Sequence, residues 1–180
     1  NTLNFLTEAS SILRENLSSK IISITGSCGK TSLKELIGKS LKKISRVTYS
    51  TKSFNNKFGV PLSLFNLKKN DVFGIFEIGM DKKGEIDYLS KIIKPDVGVI
   101  TNISYAHIKN FKNIKQIALA KSEIIKNIKD DGYLILNKDD EFYNFHKKIG
   151  LRRNLKILSF STKNKRATTN LDSISQEKLK

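Results

Sequence analysis

The stretch "KIISITGSCGKTS", residues 20–32, starts as a short β-branched run and ends in small residues around Gly-Lys-Thr. The run reads as a buried strand. From Lys30 onward the apolar period changes, and Leu33, Leu36, Ile37, Leu41 and Ile44 predict one helical face with lysines between them. A strand, a tight turn and a helix aim backbone N–H groups and the positive end of a helix dipole at one point, which makes an anion site. The spacing is unusual. The ordinary phosphate loop reads G-x-x-x-x-G-K-[ST], but here Ile24 stands where the first glycine belongs and Gly26 lies close to Gly29. Gly26 and Gly29 still let the backbone turn and approach oxygens without a Cβ. Gly26, Ser27, Cys28, Gly29, Lys30, Thr31 and Ser32 are therefore the candidate nucleotide-binding residues. The Lys30 ammonium is placed to reach the β- and γ-phosphates, and the Thr31 hydroxyl to ligate Mg²⁺, a cation that prefers oxygen ligands. The Cys28 thiol is given no chemistry.

Outward from this stretch, strands and helices alternate. "NTLNFLTEASSILRENL" predicts a helix leading into the domain, "RVTYS" a second strand and "TKSFNNKFGVP" a loop. "DVFGIFEIG" predicts a third strand, "GEIDYLSKIIKP" a helix closed by Pro95, and "DVGVITN" a fourth strand. "NIKQIALAKSEIIKNI" reads as one long amphipathic helix, "GYLILN" as a fifth strand, "DDEFYNFHKKIG" as a short helix and "LKILSFS" as a sixth strand. This alternation predicts a three-layer α/β domain, its sheet mostly parallel with helices on both faces. Ligands bind such sheets beyond the carboxyl ends of the strands. The loop at Gly26, Glu77, the Asn102–His107 segment and Asn137–Asp140 each follow a strand, so they are expected on one edge.

Composition sets limits. The 180 residues suffice for one domain with a real core. No apolar run approaches the ~18 residues of a membrane span, and no signal-peptide pattern opens the chain. A single Cys28 excludes an intrachain disulfide and fits a reducing compartment, so the cytoplasm is expected. The net charge of +16 raises nucleic-acid binding, but only five of the 33 basic residues are Arg. Bidentate phosphate and base recognition favours Arg, so solvated lysine faces are the preferred reading, with no nucleic acid and no membrane partner.

Single residues carry the chemistry. Glu77 ends an apolar strand, where a carboxylate is costly unless paired, and a metal ligand is expected there. His107 follows a strand end, and from the residues alone it reads as a structural histidine. His146 reads as a surface residue. Lys121 lies among apolar helix positions and from the residues alone reads as a snorkelling surface lysine. Asn102 and Asn137 could be ordinary turn residues, and Asn55 and Asn56 loop caps.

The segments "ITGSCGKTSLKELI", "NNKFGVPLSL", "FEIGMDKKGEI", "VITNISYAHIKNF", "AKSEI" and "LNKDD" resemble, in order and spacing, the central ATPase domain of the Mur ligases. The shortened TGxxGKT[ST] loop is a feature of that family, and the resemblance covers roughly Asn1 to Phe160. Within the family it is nearest the branch that adds D-Ala-D-Ala to UDP-MurNAc-tripeptide. Other amino-acid-adding Mur ligases and folylpolyglutamate synthase match less well. A phosphate-loop kinase or motor ATPase would need the ordinary loop and an Asp-ending strand. The resemblance implies an ATP- and Mg²⁺-dependent ligase of peptidoglycan precursor synthesis, expected to be a monomer, with UDP-MurNAc-peptide and D-Ala-D-Ala as substrates. It implies that Glu77 binds Mg²⁺ and that His107 ligates a second Mg²⁺. It also implies that Lys121 lies at the catalytic site, where several family members carry a carbamylated lysine. Asn102 and Asn137 would face the nucleotide, and Asn55 and Asn56 the UDP-linked substrate. Residues 1–17 are expected to be a lead-in from an N-terminal substrate domain, 18–162 the ATP-binding domain, and 163–180 a polar tail.

Overall fold

The computed structural model describes residues 1–105 and 110–170. Its strands are β1 (Lys20–Thr25), β2 (Val47–Tyr49), β3 (Phe73–Glu77), β4 (Val97–Ile100), β5 (Tyr133–Asn137), β6 (Lys156–Ser161) and β7 (Thr169–Asn170). They form one sheet in the order β2-β3-β1-β4-β5-β6-β7, and every described pair is parallel. The helices are α1 (Thr2–Glu15), α2 (Lys30–Leu41), α3 (Gly59–Leu64), α4 (Glu85–Ile93), α5 (Ile114–Lys121), α6 (Glu123–Lys126) and α7 (Tyr143–Arg152).

Alternation along each strand divides the core in two. Ile24, Val47, Ile75 and Val99 meet Leu33, Ile37 and Leu41 of α2 on one face. On the other, Ile21, Phe76, Ile100, Leu134 and Leu136 belong to a larger cluster with apolar side chains of α3, α4, α5 and α6, and Tyr143 and Ile149 of α7 pack against it. The helices are thus unequally shared between the faces. Arg14, 2% exposed, fastens α1 to this body. Its Nε donates to the Ile93 carbonyl at 2.8 Å and its Nη1 to the Leu17 carbonyl at 2.9 Å.

Several expectations need correction. The segment read as a loop after β2 contains α3, a six-residue helix with Pro61 in its first turn, where a missing N–H does no harm. The long helix after β4 is broken at Ser122, whose hydroxyl donates to the Leu119 carbonyl at 2.6 Å and so competes for a helix acceptor. Leu36 is 64% exposed and leaves the apolar face of α2 narrower than expected, and Ile44, 80% exposed, lies beyond the helix, which ends at Leu41. Residues beyond Thr162 include β7, which extends the sheet.

Candidate active site

The carboxyl end of β1 turns at Gly26, which has φ +149° and is backed so closely by Thr101 that a Cβ would fall 1.9 Å from Thr101 Oγ1. The loop then runs to Gly29, left-handed at φ +80°, which starts α2 with no side-chain cap. The first-turn amides of a helix have no partner four residues back, so those of Lys30, Thr31 and Ser32 are left for a ligand. Asn102 stitches the loop from the side: its backbone carbonyl accepts the Ser27 amide, and its Oδ1 accepts the Cys28 amide, both at 2.9 Å. Thr101 Oγ1 donates to the Cys28 carbonyl at 2.7 Å, and Ser27 Oγ donates to the Ser104 carbonyl at 3.1 Å.

Two ammonium groups converge beneath this loop. Lys30 Nζ and Lys121 Nζ each donate to the Gly26 carbonyl at 2.9 Å. Lys121 is 1% exposed, so the surface-lysine reading does not hold. Burial, and then the Lys30 charge, lower its pKa to about 7. A large share of the amine is therefore neutral near neutral pH, the form that carbamylation requires.

Glu77, 1% exposed at the end of β3, lies beside the loop. Its Oε2 accepts the Thr31 hydroxyl and its Oε1 accepts Asn55 Nδ2, both at 2.7 Å. No cation among the described residues forms an ion pair with it. A buried carboxylate held only by neutral donors, with a hydroxyl at its side, offers the hard oxygen ligands that Mg²⁺ takes. Among the described residues no group of three or more His, Cys, Asp and Glu could hold a metal. The fit to Mg²⁺ therefore rests on this mixed pair. The cationic, amide-lined loop in turn fits a polyphosphate.

Beyond Lys30 opens a cavity of about 660 Å³. One wall comes from Asn55, Asn56, Lys57 and Phe58, the other from Gly79 to Glu85 with Tyr88 and Leu89. Asn56 lines it, but its Oδ1 is engaged by the Phe58 and Gly59 amides at the start of α3. Asn137 is at the same sheet edge without joining the cluster, because its Oδ1 accepts the Asp139 amide. Asp140 braces the Asn102 segment by accepting the Ile103 amide at 2.7 Å. His107 lies outside the described residues. His146, expected at the surface, is 2% exposed, with Nε2 3.1 Å from the Ala118 carbonyl, and burial pushes its pKa down.

The site also depends on residues that sequence reasoning passed over. Lys34 of α2 is fully buried, and its Nζ donates to the Lys52 carbonyl at 2.6 Å, holding the loop that carries Asn55. Glu123, 6% exposed, accepts the Gly84 amide at 2.9 Å and the Asp87 amide at 3.1 Å. A signal for Glu123 existed, namely a charge inside the apolar run "IALAKSEII".

The model of the Mur ligase middle domain matches residues 24–180. The chain belongs to the Mur ligase family. The UDP-N-acetylmuramoyl-tripeptide--D-alanyl-D-alanine ligase of Buchnera aphidicola (strain APS) is 39% identical over 92% of this chain and 36% of its own length. The Bacillus subtilis enzyme of that name is 39% identical over 77% of this chain and 30% of its own. A crystal structure of MurF from Acinetobacter baumannii superposes with a TM-score of 0.88 at 33% identity, over 97% of this chain and 37% of that one. MurF of Thermotoga maritima in complex with ADP gives 0.82 at 29% identity, over 91% and 38%. The chain thus spans about a third of these relatives, from 30% to 38% of their length. A folylpolyglutamate synthase complex, at 0.67 and 16% identity, shares the fold alone. The three-layer α/β reading holds for this Mur-type sheet, and no helix among the described residues is long and apolar enough to cross a membrane.

Proposed function

We propose that this chain is the ATP-binding unit of a ligase that joins D-Ala-D-Ala to UDP-MurNAc-tripeptide in peptidoglycan precursor synthesis, acting in the cytoplasm as a monomer. In this reading residues 18–162 hold the ATPase core and residues 1–17 lead in from a substrate domain. The observation that carries it is the continuous line from the Gly26–Ser32 loop through Thr31 and Glu77 to Asn55, which joins an anion site to the 660 Å³ cavity. The names of the relatives and the ADP of the Thermotoga structure support the same assignment.

The chemistry is the attack of a substrate carboxylate on the γ-phosphoryl of ATP, which releases ADP and gives an acyl phosphate, from which the incoming amine displaces phosphate and, on losing a proton, forms the amide. Two anions must meet, so the residues mainly position the reactants and neutralise charge. The loop amides hold the phosphates, and Lys30 leaves the Gly26 carbonyl to cover the γ-phosphoryl oxygens. Lys121 supports that carbonyl from below. Thr31 and Glu77 would hold Mg²⁺, and His107 a second ion. When bound, the metal neutralises phosphate charge. Asn55 and Asn56 face the acyl substrate, and Asn102 holds the nucleotide side of the loop, with Asn137 at its rim.

Phosphate release by the intact protein tests this. Turnover is expected only when both UDP-MurNAc-tripeptide and D-Ala-D-Ala are present, and Lys30→Ala should lower it by roughly three orders of magnitude with an unchanged circular dichroism spectrum. Equal ATP hydrolysis without either substrate would reject the ligase reading.

A further inference from the structure

We infer that Glu123 is a positioning residue for the acyl substrate: from behind the cavity, it fixes the wall formed by residues 79–85 without touching what binds there. The inference rests on the proposed function for its consequence, but its geometry stands alone. Glu123 opens α6 immediately after the helix break, and both its oxygens accept the Gly84 amide, at 2.9 and 3.0 Å, while Oε2 also accepts the Asp87 amide at 3.1 Å. Gly84 is the left-handed residue that starts α4 and has no cap of its own. A carboxylate at that position satisfies first-turn amides and complements the helix dipole. At the other end of the wall, the Gly79 amide donates to the Asn55 carbonyl at 2.7 Å.

Met80, Lys82 and Lys83, which line the cavity, lie on a segment held at three places. Asn55, which also holds Glu77, fixes Gly79, and Glu85 accepts the Asp81 and Lys82 amides from within the segment at 2.6 and 2.9 Å. The third is Glu123, which lines neither the cavity nor the phosphate loop and ties the whole turn to a distant element. Lys121, two residues earlier and on the other side of the break at Ser122, reaches the phosphate loop instead. Two positions flanking one break thus serve the two halves of the site separately, and a change at Glu123 should be felt on the acyl side alone.

Glu123→Gln keeps the shape but sets an NH₂ group against backbone N–H donors. Hydrogen exchange of the variant chain should speed up about tenfold at residues 80–88, the equivalent of one charge-assisted hydrogen bond, and stay unchanged at residues 24–33. In the intact enzyme, KM for the UDP-linked acyl substrate should rise about tenfold, while KM for ATP and kcat stay within about a factor of two. Faster exchange across the whole chain, or equal rises in both KM values, would overturn the inference. A wild-type protein that does not use the acyl substrate would sink the ligase reading, and the exchange measurement would still decide whether Glu123 holds the wall.

Discussion

At Gly26 there is no room for a methyl group. A Cβ would sit 1.9 Å from Thr101 Oγ1, which is needed to hold the Cys28 carbonyl. Gly26→Ala should lose about 2 kcal/mol of stability or more and weaken ADP binding more than tenfold, as read by denaturant unfolding and calorimetry. Gly29→Ala is the contrast, because nothing lies within 4 Å of its Cβ. It should show only the backbone cost of a left-handed alanine, about 1–2 kcal/mol. Lys121 gives a pH signature. Its folded pKa of about 7 lies below the ordinary lysine value of 10.5, so between those values the folded chain binds fewer protons than the unfolded one. Stability from this group therefore rises with pH across that window, and the full cost of burying the charge is present below it. A polyphosphate beside the ammonium raises its pKa again. Nucleotide binding at pH 8 should thus take up a proton, and affinity should fall from pH 7 to 9. Calorimetry in buffers of different ionisation enthalpy measures the uptake, and Lys121→Met should abolish it.

Among the elements, α1 depends on one side chain more than on its apolar stripe. Arg14 satisfies the Leu17 and Ile93 carbonyls and lies 3.5 Å from Asp96, which itself accepts the Ile21 amide at the start of β1. Arg14→Ala strands the Ile93 and Leu17 carbonyls, while Asp96 keeps Lys20 and Lys129 at 3.1 and 3.6 Å, and should cost about 2–4 kcal/mol by urea unfolding. A loss under about 1 kcal/mol, as for an exposed pair, would show that α1 is held by its apolar contacts alone. Six strands were legible because buried parallel strands are written as short β-branched runs. The helix α3 was not, since six residues around Gly59 and Pro61 carry no periodicity. The break at Ser122 was hidden because Ile117, Ala118, Ile124 and Ile125 keep the same spacing across it. His146 was misread, although Phe142, Tyr143, Ile149 and Gly150 lie three and four residues away on its own face and mark it as buried.

In the whole molecule, the phosphate loop and Glu77 could be placed together from the residues, because each is chemically committed and stands at the end of an element, whereas Lys121 joined them only through the family resemblance. The second layer could not. Lys34, Asn55 and Glu123 act through backbone groups far away in sequence, Lys52, Gly79 and Gly84, and backbone groups leave no trace in composition. Asn102 illustrates the limit: its position after β4 was evident, but only the fold shows both its carbonyls turned to the loop amides. The lysine-rich charge, by contrast, is borne mostly by exposed side chains and builds none of the site beyond Lys30, Lys34, Lys121 and the cavity rim.

The strand order places β1 inside the sheet, between β3 and β4. The cavity walls around Asn55 and Gly79 lie on the β3 flank, reached by Lys30 from α2 and Glu123 from α6, while the threads that tie down the Ser27 and Cys28 part of the phosphate loop come from the β4 flank. The side chains of Lys57, Phe58, Lys82 and Lys83 line the cavity and hold neither Glu77 nor the loop. A scaffold of this kind can therefore exchange its clientele at those four positions while the phosphate grip stays fixed.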